Sequence, residues 1–243
     1  KALIQSAKVF NLVKKSSDFG VDDLNPILNF LKVQARKSKV VEGLRSGMQF
    51  MLKGVDLFNA EAEIISSQEI KIGKDIIKTK FILLATGSVP LELNQIKFDG
   101  KKILSSNEIL ACEKIPTSLL VIGGGVIGCE FASLFSSLGS KVSIVEKMAQ
   151  LFPGEDREIS RKLEGIFKKR GIEVKTNTDA LSVNLDDFSL VLVSVGRAVK
   201  NSIPGLEEIK VKLDNGRVVV DEYLKTNLDN IYAIGDVAAV PNL

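Results

Sequence analysis

A chain of 243 residues with 45% hydrophobic content can bury one large core or two small ones. Its 33 basic and 30 acidic residues nearly cancel, to a formal +3, which leaves no electrostatic case for nucleic acid or a membrane surface. No apolar run reaches the length of a membrane span, no signal-peptide pattern is visible, and the lack of histidine removes the commonest neutral-pH acid and base.

Residues 1–17 carry Leu3, Ile4, Ala7, Val9, Phe10 and Val13 at mostly helical spacing, so an amphipathic helix is expected there. Asp18 to Asn25 reads as a loop. Pro26 suits a first helical turn and opens a long helix to about Lys53, whose Lys37, Lys39, Arg45 and Lys53 form a solvated face. Val55–Phe58 and Ala62–Ile65 read as short strands. Glu69–Ile72, a Gly-Lys-Asp turn and Ile76-Ile77 then continue as a β-meander. Phe81 to Ser88 reads as a buried strand running into a small-residue turn that Pro90 ends, where backbone can approach a chain segment or a ligand.

A connector with a short helix near Asn107–Ala111 leads to the most informative stretch, Leu119 to Glu146. Four apolar residues form a strand, Gly123-Gly124-Gly125 turns the chain, and Val126–Leu138 forms a helix. Lys141–Val145 forms a second strand that ends at Glu146. In this βαβ unit Gly123 permits the tight turn, Gly125 leaves room for a pyrophosphate, and Gly128 lets helix and strand pack closely. Free N–H groups at the helix start favour an anion. Glu146 can accept both hydroxyls of an adenosine ribose and would repel a 2′-phosphate, so the site is read as one for NAD rather than NADP. Lys147 comes next, without an arginine pair to hold a phosphate.

Beyond it, Asp156–Arg170 is a charged amphipathic helix with Ile159, Leu163, Ile166 and Phe167 inward, stopped by Gly171. Ile172–Val174 and Leu190–Val195 are strands, the latter closed by Gly196-Arg197. Val211–Val220 is a hairpin around Asn215-Gly216. Ile231–Ile234 is a buried strand that runs into Gly235 and Asp236. The acid could serve a ligand at the sheet's carboxyl edge or cap a helix. Cys112 and Cys129 have no partner at metal-ligand or CxxC spacing, so no metal site is expected and both read as reduced, packed thiols of a cytoplasmic protein.

Four segments occur in a telling order: Ala85-Thr86-Gly87-Ser88, Gly123–Glu146, Val195-Gly196-Arg197, and Thr226 through Ala233-Ile234-Gly235-Asp236. Together they resemble the flavoprotein pyridine nucleotide-disulfide oxidoreductases, and within them the dihydrolipoyl dehydrogenase branch. The opening Lys1-Ala2-Leu3 resembles the lysine and its successors just after that family's CxxxxC redox pair. The resemblance implies an α/β fold of two Rossmann-like (FAD/NAD(P)-binding) domains, the FAD domain incomplete, with β-meander insertions. It divides the chain into a partial FAD-binding domain over 1–90, an NAD-binding domain over 91–222 and a return to the FAD domain over 223–243.

By the same resemblance FAD would be contacted by Lys1, Ala62, Thr86, Gly87, Ser88, Asp236, Asn242 and Leu243. NAD would be contacted by Gly123, Gly124, Gly125, Val126, Ile127, Gly128, Glu130, Glu146, Ala180 and Gly196. Lys1 and Glu130 would pair as the catalytic residues, although Glu130 alone would pass for an ordinary exposed residue. The implied activity is oxidation of a dihydrolipoyl dithiol with hydride transfer to NAD⁺. The implied partners are the lipoyl domain of a 2-oxoacid dehydrogenase complex and a second copy in a homodimer. Alternatives are another NADH-dependent flavin oxidoreductase and a non-catalytic NAD-binding module. The departures also count. The first FAD βαβ unit, the redox cysteine pair and the dimerisation domain with its His–Glu pair are not in these residues, and residues 183–188 look too few for the family's hairpin strands there. Arg197 is followed by Ala198-Val199-Lys200 in place of the usual Arg-Pro-Asn ending.

Overall fold

The computed structural model describes residues 1–22, 25–199 and 203–239. Its helices are α1 (Ala2–Lys14), α2 (Phe30–Met51), α3 (Ser106–Ile109), α4 (Val126–Ser137) and α5 (Arg157–Lys169). Its main strands are β1 (Ala62–Ser66), β2 (Glu69–Ile72), β3 (Asp75–Lys78), β4 (Ile82–Leu84), β5 (Ile103–Leu104), β6 (Ser118–Ile122), β7 (Lys141–Val145), β8 (Glu173–Lys175), β9 (Leu190–Val193), β10 (Leu213–Asp214), β11 (Arg217–Val218) and β12 (Ile231–Ala233). The chain forms two compact units, Lys1–Lys53 with Pro90–Gly196 and Gly54–Val89 with Arg197–Leu243. Residues 1–53 thus cluster with the central segment, whereas the resemblance groups them with 54–90.

The first unit is built on a five-stranded sheet in the order β5-β9-β6-β7-β8, parallel throughout. Alternate residues of a strand face opposite sides, and β6 uses both. Leu119 and Val121 join one core with Phe135 of α4, Phe167 of α5, and Leu3 and Ala7 of α1. Leu120 and Ile122 join another with Ile96, Val191 and Val193, flanked by Val183, Leu185 and Phe188. Burial on both faces is why β6 reads as a continuous apolar run and not an alternating one. The connection between β8 and β9 closes through two short 3₁₀ turns, Ala180–Ser182 and Leu185–Asp187.

Several local expectations are adjusted. α2 starts at Phe30 and not at Pro26, because the Asn29 side chain accepts the Lys32 N–H and sets the cap. Val55–Phe58 is not a strand: Val55, Leu57 and Phe58 are exposed and none of the described residues supplies a ladder. In α5 the face turned inward carries Ser160 and Phe167, while Ile159 and Ile166 are exposed; the Ser160 hydroxyl donates to the Leu151 carbonyl at 2.7 Å and fixes that rotation. α3 begins with a capping box between Ser105 and Glu108, and that hydrogen bonding holds the Glu108 carboxyl below its ordinary range.

The second unit holds the antiparallel meander β1-β2-β3, the β10–β11 hairpin around Asn215-Gly216, and a parallel pair, β4 with β12. Its core gathers Ile64, Ile82, Leu84, Leu206, Val218, Ile231 and Ala233. The strand expected to be buried from Phe81 onward is buried only at Ile82 and Leu84; Phe81 and Leu83 face outward. Gly205, at φ +85, lies so close to β1 that a Cβ there would sit 1.7 Å from the Ile64 carbonyl oxygen.

Candidate functional site

The first cluster grows from the carboxyl ends of the parallel strands in the first unit, the edge at which α/β sheets present their turns. Gly123 leaves β6 at φ +101, and a Cβ there would lie 2.5 Å from the Ser194 carbonyl oxygen. Gly128 packs α4 onto the strand, since its Cβ would meet the Gly123 carbonyl oxygen at 2.1 Å. Gly125 is different. It is extended, it is the N-cap of α4 with no side-chain cap, and a Cβ on it would meet nothing within 4 Å. One glycine therefore makes the turn, one makes the packing, and the third borders open space at uncapped helix N–H groups. Such an arrangement can receive an anion.

Glu146 ends β7 and is buried, yet its carboxylate reaches back to this turn. Oε2 accepts the Gly124 N–H at 2.6 Å and Oε1 accepts the Met148 N–H at 2.7 Å. The two backbone donors offset the cost of burying a charge and fix its orientation. At Gly124 a Cβ would meet Leu151 Cδ2 at 2.5 Å and the Glu146 side chain at 3.2 Å, so both side chains would have to give way. Val126 is exposed and Ile127 half-buried on the first turn of α4. Cys129 donates its S–H to the Gly124 carbonyl at 3.3 Å; burial, and then the neighbouring Glu146 carboxylate, push its thiol up to about 12. It is a packed, inert thiol. The Cys112 thiol is also pushed up by burial, with Lys37 opposing.

Gly196, exposed at φ +134, lies beyond β9 on the same edge, and the half-buried Ala180 lies beyond β8. Glu130 is on α4 and exposed. Lys1 is exposed at the N-cap of α1. The pair expected between them is not formed: no ion pair within 4.0 Å joins them among the described residues, because each long side chain extends into solvent. Ser194 carries no signal in the sequence. Its hydroxyl donates to the carbonyls of Ile122 and Gly123, at 3.1 and 3.2 Å, and holds the turn from below. A cavity of about 680 Å³ opens at the opposite, amino-terminal end of the sheet, among Gly100, Cys112, Pro116, Thr117 and Ser189. It lies away from the glycine turn.

The second cluster is in the other unit, where β4 and β12 run parallel and end together. Thr86 is exposed, Gly87 takes φ +68, and Ser88 Oγ donates to Asp236 Oδ2 at 2.5 Å. Asp236 does not cap a helix; it sits inside the 3₁₀ turn Gly235–Val237, whose N-cap is Ile234. Arg197 joins them, donating from Nε to Ser88 Oγ at 2.7 Å and from Nη2 to the Ser88 carbonyl at 2.5 Å, with Nε 3.6 Å from Asp236 Oδ2. In the sequence Arg197 stands out only as the end of a motif, with no role of its own. Ala62 lies apart on β1, exposed and paired with Ile72. Asn242 and Leu243 lie outside the described residues.

Among the described residues no group of three His, Cys, Asp or Glu is placed to hold a metal ion, and no helix is long and apolar enough to cross a membrane. The chain offers no histidine, and Cys112 and Cys129 are both free thiols.

Comparison with known proteins identifies the family and the fold. The profile of the family described as pyridine nucleotide-disulphide oxidoreductase matches residues 1–243. The chain is similar to the dihydrolipoyl dehydrogenase of Acholeplasma laidlawii, at 37% identity over 257 residues, covering 98% of this chain and 76% of that one. It is similar to the dihydrolipoyl dehydrogenase of Bacillus subtilis (strain 168), at 35% over 271 residues, covering 98% and 57%. Among solved structures it resembles LpdA from Mycobacterium tuberculosis, with TM-score 0.90 and 25% identity, covering 100% of this chain and 58% of that one. The HOCl-induced flavoprotein disulfide reductase RclA from Escherichia coli shares the fold, at TM-score 0.83 and 24% identity, covering 100% and 56%. The chain thus spans little more than half the length of most of these relatives.

Proposed function

The chain belongs to the pyridine nucleotide-disulphide oxidoreductase family, and on that premise we propose that it is the nucleotide-binding part of a dihydrolipoyl dehydrogenase. The reaction is oxidation of a dihydrolipoyl dithiol with hydride delivered to NAD⁺. FAD, when bound, supplies the electron relay. The partners in this reading are the lipoyl domain of a 2-oxoacid dehydrogenase complex and a second copy of the whole protein. The names of the relatives support it.

The observation that carries the reading is the Glu146 carboxylate held 2.6 Å from the Gly124 N–H, next to the open space at Gly125. Pyrophosphate would lie on Gly123 to Gly128 and the uncapped start of α4, with Val126 and Ile127 along it. Glu146 would accept the ribose hydroxyls and reject a 2′-phosphate by charge. Ala180 would lie toward the adenine and Gly196 toward the nicotinamide. Glu130 would serve the nicotinamide and Lys1 the flavin. On the flavin side, Thr86, Gly87, Ser88 and Asp236 would take the ribityl chain, and Ala62 the adenosine; Asn242 and Leu243 belong to the same assignment. Asp236 fits a polyol, because Oδ1 accepts no hydrogen bond among the described residues and its side chain is 41% exposed.

Titration of the chain with NADH and NADPH, each in the presence and absence of FAD, tests this. NADH should bind at least about tenfold tighter than NADPH, a difference of about 1.4 kcal/mol. Equal affinities would remove the ribose assignment. The free thiols and the lack of histidine favour a second reading for these residues taken alone, an NADH-binding module without turnover. A dihydrolipoamide–NAD⁺ assay on this stretch is accordingly expected to show no family-like activity.

A further inference from the structure

Arg197, Ser88 and Asp236 meet from positions far apart in sequence, and their hydrogen bonds run in one direction. Arg197 Nε donates to Ser88 Oγ at 2.7 Å, which occupies the hydroxyl as an acceptor. The hydroxyl proton is then committed to Asp236 Oδ2, at 2.5 Å. The other arm of the guanidinium, Nη2, donates to the Ser88 carbonyl at 2.5 Å and fixes the backbone that carries the hydroxyl. A planar fork can hold backbone and side chain of one residue together; a lysine ammonium cannot. The outcome is a carboxylate with Oδ2 engaged and Oδ1 without a hydrogen bond among the described residues, on a side chain that is 41% exposed.

We propose that Arg197 is a positioning residue that acts through Ser88 to present Asp236 Oδ1 to the hydroxyl groups of a flavin nucleotide's polyol chain. Two further facts fit this role. The guanidinium, with Nε 3.6 Å from Oδ2, places positive charge beside the carboxylate, which disfavours a cationic ligand and leaves a neutral hydroxyl donor as the suitable partner. Ser88 comes directly after Gly87, whose φ of +68 turns the chain out of β4 and brings the hydroxyl to the carboxyl end of the parallel pair. The ligand identity rests on the flavin reading above; the positioning does not.

The full 243-residue chain is titrated with FAD and followed by flavin fluorescence, in the wild type and in Arg197→Gln, Arg197→Lys, Ser88→Ala, Asp236→Asn and the double variant Arg197→Gln/Asp236→Asn. Asp236→Asn should weaken FAD by about tenfold or more, the scale of a lost hydrogen bond to a charged group. Arg197→Gln and Ser88→Ala should each weaken it severalfold, and Arg197→Lys should not restore it. The double variant should bind no more weakly than Asp236→Asn alone, because Arg197 acts only through that carboxylate. A plain fold staple would instead lower the Tm and leave the affinity of the folded Arg197→Gln protein unchanged, whereas a separate contact with the ligand would add to the Asp236→Asn loss; either result overturns the positioning role. A crystal structure of Arg197→Gln decides the same point without flavin: Asp236 should leave Ser88, and an undisturbed Ser88–Asp236 bond ends the claim. Failure of wild type to take FAD while Asp236 moves in that structure would remove the flavin as ligand and leave the positioning intact.

Discussion

The two units each place a parallel strand pair at the heart of a candidate nucleotide site, but only one of them covers it. In the first, Leu119, Leu120 and Val121 of β6 are fully buried between two apolar layers. In the second, the pair β4–β12 buries Ile82 and Leu84 and leaves Phe81 and Leu83 at 63% and 58% exposure. Parallel strands are ordinarily buried on both faces. The first unit therefore buries its own sheet, and its glycine turn is held by the Gly123 N–H to the Val145 carbonyl, the Glu146 carboxylate and the Ser194 hydroxyl. The second presents Asp236 from a thin sheet, and side-chain hydrogen bonds from Arg197 supply the order that packing does not.

Two glycine substitutions break the comparison most severely. Gly128→Ala pushes a methyl to 2.1 Å from a carbonyl oxygen, and Gly205→Ala pushes one to 1.7 Å at a φ of +85. Neither neighbour is a flexible side chain that can swing away, so each should cost about 3 kcal/mol or more. Chemical denaturation followed by hydrogen exchange should show Gly128→Ala loosening β6, β7 and β9 while β1–β3 stay protected, and Gly205→Ala the reverse. Loss of protection in both units from either change would show that they do not fold separately.

Gly125→Val sharpens the contrast, because it asks for function without stability. Its Cβ enters open space, so the unfolding free energy should hold to within about 1 kcal/mol, the scale of changing an N-cap residue. NADH affinity should fall by about tenfold or more, because the same space is the one assigned to phosphate. Unchanged NADH binding on calorimetry would move the nucleotide off this turn. Glu146→Ala should lower NADH affinity by a comparable factor, from loss of about 1.5–3 kcal/mol in hydrogen bonds to a charged group. Combined with Met148→Arg it should shift the NADH:NADPH ratio toward NADPH, since Met148 is exposed and adjoins the carboxylate.

How much the sequence reveals depends on the distance over which each signal acts. The βαβ unit is legible because every cue is local: an apolar run, three glycines at fixed spacing, an acid at the end of the next strand. Pro26 attracts the start of α2 because proline suits a first turn, and the stronger cap, Asn29, competes only through a side-chain bond that composition does not display. Val55–Phe58 has strand composition but no partner strand among the described residues. The apolar stripe of α1 is visible, yet nothing in a periodicity says that Leu3 and Ala7 bury against the core of α4 and α5, which is what draws residues 1–53 to the central segment. Arg197 is visible as the end of a motif, but its role is not, because its partner Ser88 is 109 residues away, and Ser88 is 148 from Asp236.

Cys129 gives the smallest effect, and it isolates the first unit. Its thiol is pushed up to about 12 from an ordinary value of 9.0, chiefly by burial and then by the Glu146 carboxylate. A raised folded-state value means that the native protein keeps its proton where the unfolded chain has lost it. The linked stability is therefore complete below pH 9 and is lost as pH rises toward 12, by at most about 1.4 kcal/mol per pH unit. Cys129→Ala removes the titrating group, so its unfolding midpoint should fall less steeply than that of the wild type above pH 9, at the cost of a small constant loss from the vacated volume. Thiol labelling should obey the same order in the wild type. Half-buried Cys112 should react before Cys129, and Cys129 should react only as the first unit opens.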